Sequence, residues 1–379
     1  LPGFVNAHTH LPMTLMRGYG GGCDLHTWLN QYIFPAEARL DSRAVAAGAG
    51  LGLAEMIASG VTCVADMYMH TGTIAEQILE AGISANLSCG GVYFGAPEDF
   101  SPETCGDCRN QAALTEEWHG AGAGQILVDA SVHGEYTSNP PLWRWMAEYA
   151  AEHRLGMHVH VSETQSEHQA SLERWGKTPI QALDGCGVWD CGRSLAAHCV
   201  YTTEEDWALM AEKGISCVHN PWSNLKLGSG VAPIPAMMRA GVNVALGTDG
   251  MSSHNSADLF SDIKLAAVLH NGVERDPMAV SAWAALEIAT VNGARALGRD
   301  TGVIAPGKTA DLILVDLSAP NLIPCHDPVE DLVFSAHGSN VEMNMARGQV
   351  IYEKGSFLTL DLERVRWEVE HYALPLIFG

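Results

Sequence analysis

Two histidines close to the start of the chain have a spacing that suits metal binding. In the stretch "FVNAHTHLPMTLMRG", residues 4–18, a single threonine separates His8 from His10 at the end of an apolar run. On a β-strand, residues i and i+2 point to the same side, so both imidazoles face a common point. Two neutral imidazoles that converge there would form half of a metal site, and a pair of hydrogen-bonded core histidines is the alternative.

The elements that must position these histidines follow a repeating pattern. Short apolar and β-branched runs predict strands over 4–10, 60–67, 83–92, 125–133, 156–163, 194–200, 214–220 and 243–249. Longer helical patterns lie over 41–59, 73–82, 110–120, 141–154, 166–183 and 203–213. The alternation predicts an α/β fold, a (β/α)8 TIM-like barrel within residues 1–300. A doubly wound open sheet is the alternative, but no Gly-rich phosphate loop follows the first strand.

Active sites of such barrels lie at the C-terminal ends of the strands. The predicted strand ends carry a set of metal-capable side chains, namely His8, His10, Asp66, His133, His160, Glu163, His198, His219 and Asp249. Random placement would not gather most such residues of a chain at one rim. This concentration favours a metal site over core histidines.

Three histidines and one aspartate are the predicted metal ligands. A catalytic zinc commonly takes three protein ligands and keeps a position open for water. We expect one Zn²⁺, with Fe²⁺ as the alternative, bound by His8, His10, His160 and Asp249. Zinc lowers the pKa of a bound water to about 7, and Asp249 can also accept a hydrogen bond from that water.

Two further residues are predicted to act in catalysis beside these ligands. Glu163 lies three residues beyond His160, just past the strand end, and is the natural general acid/base. His198 can stabilise the negative charge that develops on the water. His158 shares a face with His160, but we expect it one layer deeper, as a core residue or a neighbour of the ligands.

Composition limits the class of partner. The formal net charge is −23, and no stretch gathers Lys and Arg into a patch, which argues against nucleic acid and membrane partners. A small neutral or cationic substrate suits such a protein. No apolar run reaches roughly 18 residues, and the ten cysteines are mostly scattered singly. These features predict a cytoplasmic protein with reduced thiols and leave homo-oligomerisation open.

Six motifs occur in a consistent order along the chain. They are "NAHTHLPMTLMRG", "WLNQYIFPAEARL", "HVHVSET", "AAHCVYT", "HNPWSNLKLGSG" and "LGTDGMSSHNS". Together they resemble the amidohydrolase superfamily, and within it the 5'-methylthioadenosine/S-adenosylhomocysteine deaminases. The resemblance implies one zinc at the positions above, Glu163 as proton shuttle, Glu37 as the ligand of the ribose hydroxyls and His133 in contact with substrate. The implied reaction is hydrolytic deamination of an adenine nucleoside at C6, which releases ammonia and an inosine-type product.

The sequence departs from this family in the segment that should meet the 5' substituent. Members that act on S-adenosylhomocysteine use arginines there, whereas this chain offers Cys89, Glu98 and Asp99 before Arg109, the one nearby basic residue. We therefore expect a neutral 5' group to be preferred. Asp66 and His219 are expected to brace loops at the rim.

A second departure concerns the ends of the chain. Family members carry a strand-rich segment before the barrel that completes a small β-sandwich, but this chain starts at the first barrel strand. Residues 301–379 are expected to hold the C-terminal portion of that sandwich and a terminal helix, with strands within 307–320 and 340–358. We expect an incomplete chain whose sheet edges are exposed.

Two rival functions stay open from sequence. A related amidohydrolase could act on another azine ring, as a triazine chlorohydrolase or a guanine or cytosine deaminase. Glu37 and the "SNLKLG" loop favour adenosine-type substrates. A non-catalytic structural barrel is the more distant alternative. Such a protein would have lost a metal ligand or the proton shuttle, whereas this chain has all of them.

Overall fold

Nine parallel strand segments form the barrel in the computed structural model, which describes residues 1–379. They are β1 Phe4–His10, β2 Val61–Met67, β3 Ser84–Ser88, β4 Ile126–Gly134, β5 Gly156–Val161, β6 Ser194–His198, β7 Ile215–His219, β8 Val244–Leu246 and β9 Asp249–Gly250. Segments β8 and β9 are the two halves of the eighth predicted strand. β8 pairs with β7, whereas β9 pairs with β1 through Thr9–Asp249 and His10–Gly250. The eighth strand therefore closes the sheet, and the predicted (β/α)8 barrel is confirmed.

Helices and helical turns connect the strands. They are α1 Leu25–Trp28, α2 Phe34–Glu37, α3 Ser42–Ala58, α4 Thr71–Ala81, α5 Gly106–Trp118, α6 Ala121–Gly124, α7 Pro140–His153, α8 Gln165–Trp175, α9 Pro179–Asp184, α10 Glu204–Lys213, α11 Pro221–Lys226, α12 Ile234–Arg239, α13 Met251–His254, α14 Leu259–Glu274, α15 Ala282–Ala289 and α16 Val291–Leu297. None of the helices is both long enough and apolar enough to cross a bilayer.

One helix prediction was wrong. The stretch 166–183 was expected to be one helix, but it forms α8 and α9. Gly176 ends α8 with a φ of 64°, a left-handed conformation that glycine adopts without steric cost. Thr178 caps α9, and Pro179 occupies its first turn, where the missing N–H costs nothing.

Small apolar side chains close the barrel at the end opposite the predicted active site. Val5, Cys63, Leu195 and Val218 form a separate apolar cluster with Leu297 of α16. A buried polar network lies beside this cluster, in which Arg193 donates to Asp129 at 3.2 Å and to the Leu297 carbonyl at 3.0 Å.

A second, antiparallel sheet follows the barrel, with the strand order β10 Leu312–Val315, β11 Val341–Ala346, β12 Gln349–Glu353 and β13 Ser356–Phe357. The sequence predicted exposed sheet edges. The edge of β10 is instead partly covered, because the first residues of the chain pair with it. The Gly3 N–H donates to the Asp311 carbonyl at 3.0 Å, and the Ile313 N–H donates to the Leu1 carbonyl at 3.0 Å.

The last residues of the chain return to the barrel. After α17 Pro328–Phe334, the helices α18 Leu362–Glu368 and α19 Leu374–Phe378 are joined by a π-helical turn, Val369–Ala373. An ion pair of 2.8 Å links Arg43 of α3 to Glu368, and Arg39 donates to the Ile377 carbonyl at 2.6 Å. The predicted boundary at residue 300 stays a prediction, and these contacts fix the terminal helices to the barrel.

Candidate active site

The four predicted metal ligands lie together at the C-terminal end of the barrel. His10 Nε2 is 3.2 Å from Asp249 Oδ1 and 3.4 Å from His160 Nε2, and His8 Nε2 is 3.5 Å from Asp249 Oδ1. Ligand atoms at 2.0–2.1 Å from a tetrahedral zinc are about 3.3 Å apart. These separations therefore fit ligands that share one ion.

Each histidine of this cluster is held through its Nδ1. His10 Nδ1–H donates to the Met67 carbonyl at 2.5 Å, and His160 Nδ1–H donates to the His133 carbonyl at 2.6 Å. His8 Nδ1 shares a hydrogen bond of 2.8 Å with His158 Nε2. Such contacts orient metal-binding imidazoles and leave Nε2 free. His8 Nε2 is buried without a hydrogen-bond partner, as expected for an atom that binds a metal cation.

The charges of the cluster also suit a cation. Burial lowers the pKa of His8 to about 3, so its imidazole is neutral. Against the effect of burial, the Asp249 carboxylate raises the pKa of His10 to about 9. Although burial disfavours its charge, the neighbouring imidazoles of His10 and His8 hold the pKa of Asp249 well below its usual range. The cluster thus stabilises positive charge beside a buried carboxylate, and a divalent metal fits that environment.

Two serine hydroxyls fix the orientation of the aspartate. Asp249 Oδ2 accepts hydrogen bonds from Ser223 Oγ at 2.5 Å and Ser253 Oγ at 2.9 Å. The residue also has a φ of 63°, in the left-handed region that non-glycine residues seldom adopt. Oδ1 is consequently the oxygen that faces the histidines.

His198 and Glu163 lie next to the cluster. His198 Nδ1–H donates to Asn224 Oδ1 at 2.8 Å, and its Nε2 is 3.7 Å from Glu163 Oε2. The nitrogen atoms of His8, His160 and His198 lie within 4.8 Å of one another, as do the ligand atoms of His8, His10 and Asp249. His198 therefore lies next to the predicted ligands and can be grouped with His8 and His160.

Glu163 is a buried carboxyl group, 5% exposed. Burial raises its pKa, and the Ser229 hydroxyl donates to its Oε1 at 3.1 Å. A carboxyl group whose pKa is raised holds its proton more readily than an exposed carboxyl group does. This property suits a proton shuttle.

A cavity of about 430 Å³ opens beside these groups. Glu37 and His133, whose contact with substrate only the resemblance implied, also line it. Glu37 Oε1 accepts a hydrogen bond of 2.6 Å from the Tyr68 hydroxyl, and burial raises the pKa of Glu37. Burial lowers the pKa of His133 to about 4, so its ring is neutral. His10, His160, Glu163, His198 and Asp249 line the same cavity.

Two predicted rim residues are placed outside the cavity. Asp66 Oδ2 accepts the Leu11 N–H at 2.6 Å, which holds the chain directly after His10. His219 Nε2 is 3.0 Å from Nε2 of His270 on α14, so its ring faces a barrel helix and not the substrate cavity.

The cavity wall formed after β3 differs in detail from the expectation. Glu98 and Asp99 lie on an exposed turn, and exposed Arg109 donates to the Glu103 carbonyl at 2.8 Å; none of the three lines the cavity. Asp107 lines it instead, with Oδ2 accepting the Val92 N–H at 2.8 Å. No Lys or Arg lines the cavity, whose outer walls are apolar, formed by Leu25, Trp28, Leu29, Ile33, Phe34, Val92 and Phe94.

Comparison with known proteins gives a consistent result. The sequence profile of the amidohydrolase family matches residues 1–351. The chain is 42% identical over its full length to a 5-methylthioadenosine/S-adenosylhomocysteine deaminase of Caldanaerobacter subterraneus subsp. tengcongensis, of which it covers 87%. It is 39% identical over its full length to a 5'-deoxyadenosine deaminase of Methanosarcina mazei, of which it covers 86%. A crystal structure of an adenosine deaminase from Xanthomonas campestris with bound zinc superposes with a TM-score of 0.92 at 33% identity, over 99% of this chain and 85% of that one.

Proposed function

This chain belongs to the amidohydrolase family and is a hydrolase that acts on C–N bonds, and from that premise we propose that it deaminates adenine nucleosides. The observation that carries the proposal is the placement of Glu163. Its carboxyl group, with a raised pKa, lines the same cavity as His10, His160 and Asp249, and His8 lies directly beside Asp249. Deamination of an azine ring needs a water-activating site and a proton donor on the same face of the ring, and this cavity offers both.

The residues of the chain divide the proton transfers between them. Glu163 delivers a proton to N1 of the adenine ring while water adds to C6. Asp249 Oδ1 accepts a proton from that water, and His198 stabilises the negative charge on the attacking oxygen. Asp249 then passes that proton to the exocyclic amino group, which leaves as ammonia, while the hydroxyl now on C6 gives its proton to Glu163 and becomes the carbonyl of the product. When bound by His8, His10, His160 and Asp249, a divalent ion such as Zn²⁺ would supply Lewis-acid activation of water near neutral pH.

Glu37 and His133 are the proposed contacts to the nucleoside. The Tyr68 hydroxyl occupies Oε1 of Glu37, so the other carboxylate oxygen can accept hydrogen bonds from the ribose hydroxyls. The neutral His133 ring lies beside His160 at the cavity wall, where it can hydrogen-bond the purine or the sugar.

A screen of candidate substrates tests the proposed function. We expect ammonia release from at least one of adenosine, 5'-deoxyadenosine, 5'-methylthioadenosine and S-adenosylhomocysteine. The best of them should exceed guanine and cytosine by at least about 10²-fold in kcat/KM, because a site that hydrogen-bonds a sugar discriminates strongly against a free base. Greater ammonia release from guanine or cytosine, or chloride release from a chlorotriazine, would contradict the proposal.

The charge of the cavity predicts which 5' substituent is preferred. A buried carboxylate without a cation is costly, and Asp107 would repel it. We expect kcat/KM for 5'-deoxyadenosine or 5'-methylthioadenosine to exceed that for S-adenosylhomocysteine by at least about 10-fold, which corresponds to about 1.4 kcal/mol. Steady-state kinetics with the three substrates measures this ratio.

Two variants show whether charge is the cause. Asp107→Asn keeps an acceptor for the Val92 N–H and removes the negative charge. It should bring kcat/KM for S-adenosylhomocysteine closer to that for the neutral substrates. Arg109→Ala should leave the ratio of the kcat/KM values unchanged, because the Arg109 side chain is exposed and donates to the Glu103 carbonyl. A native preference for S-adenosylhomocysteine that disappears in Arg109→Ala would show that Arg109 reaches the substrate.

A further inference from the structure

A second buried glutamate lies directly behind the proton shuttle. Glu167, in the first turn of α8, is 6% exposed and forms no ion pair with any Lys or Arg. Its Oε1 accepts the Ser162 N–H at 2.8 Å, and its Oε2 accepts the Glu163 N–H at 2.7 Å. One carboxylate therefore holds the backbone of Glu163 and of the residue before it.

The backbone that Glu167 holds is strained. Ser162 has a φ of 50°, in the left-handed region that L-residues other than glycine, asparagine and aspartate avoid. This turn follows β5, which ends at Val161, and directs Glu163 into the cavity. Without an acceptor, two buried N–H groups would be unsatisfied, and an alternative turn would become competitive.

The arrangement differs from an ordinary helix cap. Thr164 caps α8 by accepting the Glu167 N–H at 3.2 Å. In a common capping box, the carboxylate at this position accepts a hydrogen bond from the N–H of the capping residue itself. The carboxylate of Glu167 instead bonds to the two preceding residues, including the shuttle.

The opposite end of α8 is also fixed to the wall of the cavity. Arg174 Nη2 lies 2.7 Å from Oε2 of Glu135, whose side chain is buried. Glu135 immediately precedes Tyr136, which lines the cavity. The helix is thus anchored at both ends to segments that surround the substrate, so its first turn is a rigid support for Glu163.

Burial of Glu167 has a cost that a simple cap would not require. Burial raises its pKa to about 7, even though the N–H groups of Glu163 and Ser162 lower it. An exposed carboxylate would cap the helix without this desolvation. The buried position is accounted for if the group must contact the backbone of Glu163.

We propose that Glu167 is a positioning residue for Glu163, because its carboxylate fixes the left-handed turn that aims the shuttle at the substrate. This inference rests on the proposed function, since it assigns to Glu167 a role only through the proton transfers of Glu163.

The Glu167→Gln variant tests the inference. An amide oxygen can accept from one of the two N–H groups, but the NH₂ group opposes the other. Because small misplacements of a catalytic group are costly, we expect kcat to fall about 10- to 10²-fold. KM should change less than about 3-fold and metal content not at all, because neither the proposed metal ligands nor Glu37 contacts Glu167. Ammonia release and metal analysis of the purified protein measure these quantities.

A double-mutant cycle separates positioning from a purely structural role. If Glu167 acts through Glu163, Glu167→Gln should cause less than about 2-fold further loss of kcat in a Glu163→Gln background. The matched control is Glu173→Gln, the same substitution at an exposed position of the same helix, which should leave kcat unchanged in both backgrounds. If Glu167→Gln does not fold, Glu167→Asp, which keeps the charge but cannot reach both N–H groups, takes its place in the cycle.

The outcomes distinguish this inference from the proposed function. An unchanged kcat in Glu167→Gln, or an equal fold loss in the native and Glu163→Gln backgrounds, would overturn the positioning role and leave the deaminase proposal intact. Absence of ammonia release from every nucleoside by the native protein would overturn the proposed function itself, and with it the inference.

Discussion

The Glu163→Gln variant should bind its metal as the native protein does and lose at least about 10²-fold in kcat, the usual contribution of general acid–base catalysis. The amide has the same shape and can still accept the Ser229 hydroxyl, so the fold of the site should persist. It cannot deliver a proton to the ring, however, and this is the step for which burial and the raised pKa prepare the carboxyl group.

Metal analysis and steady-state kinetics of the same preparation check this expectation. The Glu173→Gln variant is the control for a lost surface carboxylate and should retain native kcat. Turnover within a few-fold of native in Glu163→Gln would remove Glu163 from the proton transfers. Loss of metal together with turnover would assign it to metal binding, and His198 would then be the remaining candidate for the shuttle.

The sequence was most informative where chemistry and periodicity coincide. The two-residue period of a strand predicted that His8 and His10 share a face, and the alternation of strands and helices predicted that all strand ends meet at one rim. Both depend on local pattern, and both correspond to what the structure contains. The cavity at that rim indeed includes His133 and Glu37, although residue type and spacing alone gave Glu37 no distinction from a carboxylate at a helix start.

Contacts between distant segments could not be predicted in the same way. Ser223 and Ser253 orient Asp249, yet serines in loops are too common to signal that role. In the segment after β3, Asp107 lines the cavity and accepts the Val92 N–H, whereas Glu98 and Asp99 lie on an exposed turn. A local signal was available only for the break of the predicted helix 166–183, where glycine and proline lie three residues apart.

The role of Glu167 could not be predicted from the sequence either. Its position four residues after Glu163 is typical of a solvent-exposed helix start, whereas in the structure its carboxylate is buried against the N–H groups of Ser162 and Glu163. Only the three-dimensional arrangement reveals that the carboxylate meets the backbone of the shuttle.

Removal of a metal ligand should greatly lower both zinc content and kcat/KM. We expect the native protein to bind one equivalent of Zn²⁺ and the His8→Ala variant to retain less than about 0.1 equivalent. His8 is the central residue of the cluster, since its ring belongs to both sets of ligand atoms that lie within 4.8 Å. Because metal activation of water is worth several kcal/mol, kcat/KM should fall by at least about 10³-fold.

A graded pair of variants makes the ligand assignment specific. His158 touches His8 Nδ1 at 2.8 Å, on the side away from the cluster, so His158→Leu should weaken zinc affinity only about 10- to 10²-fold, as loss of an orienting partner does. His270→Leu is the matched control, because His270 is also buried against another histidine, His219, but lies outside the cavity; its zinc affinity should equal the native value. Complete loss of zinc in His158→Leu together with full retention in His8→Ala would reverse the two assignments. Two equivalents in the native protein would contradict a site with a single ion, since the measured separations of the ligand atoms match one tetrahedral centre.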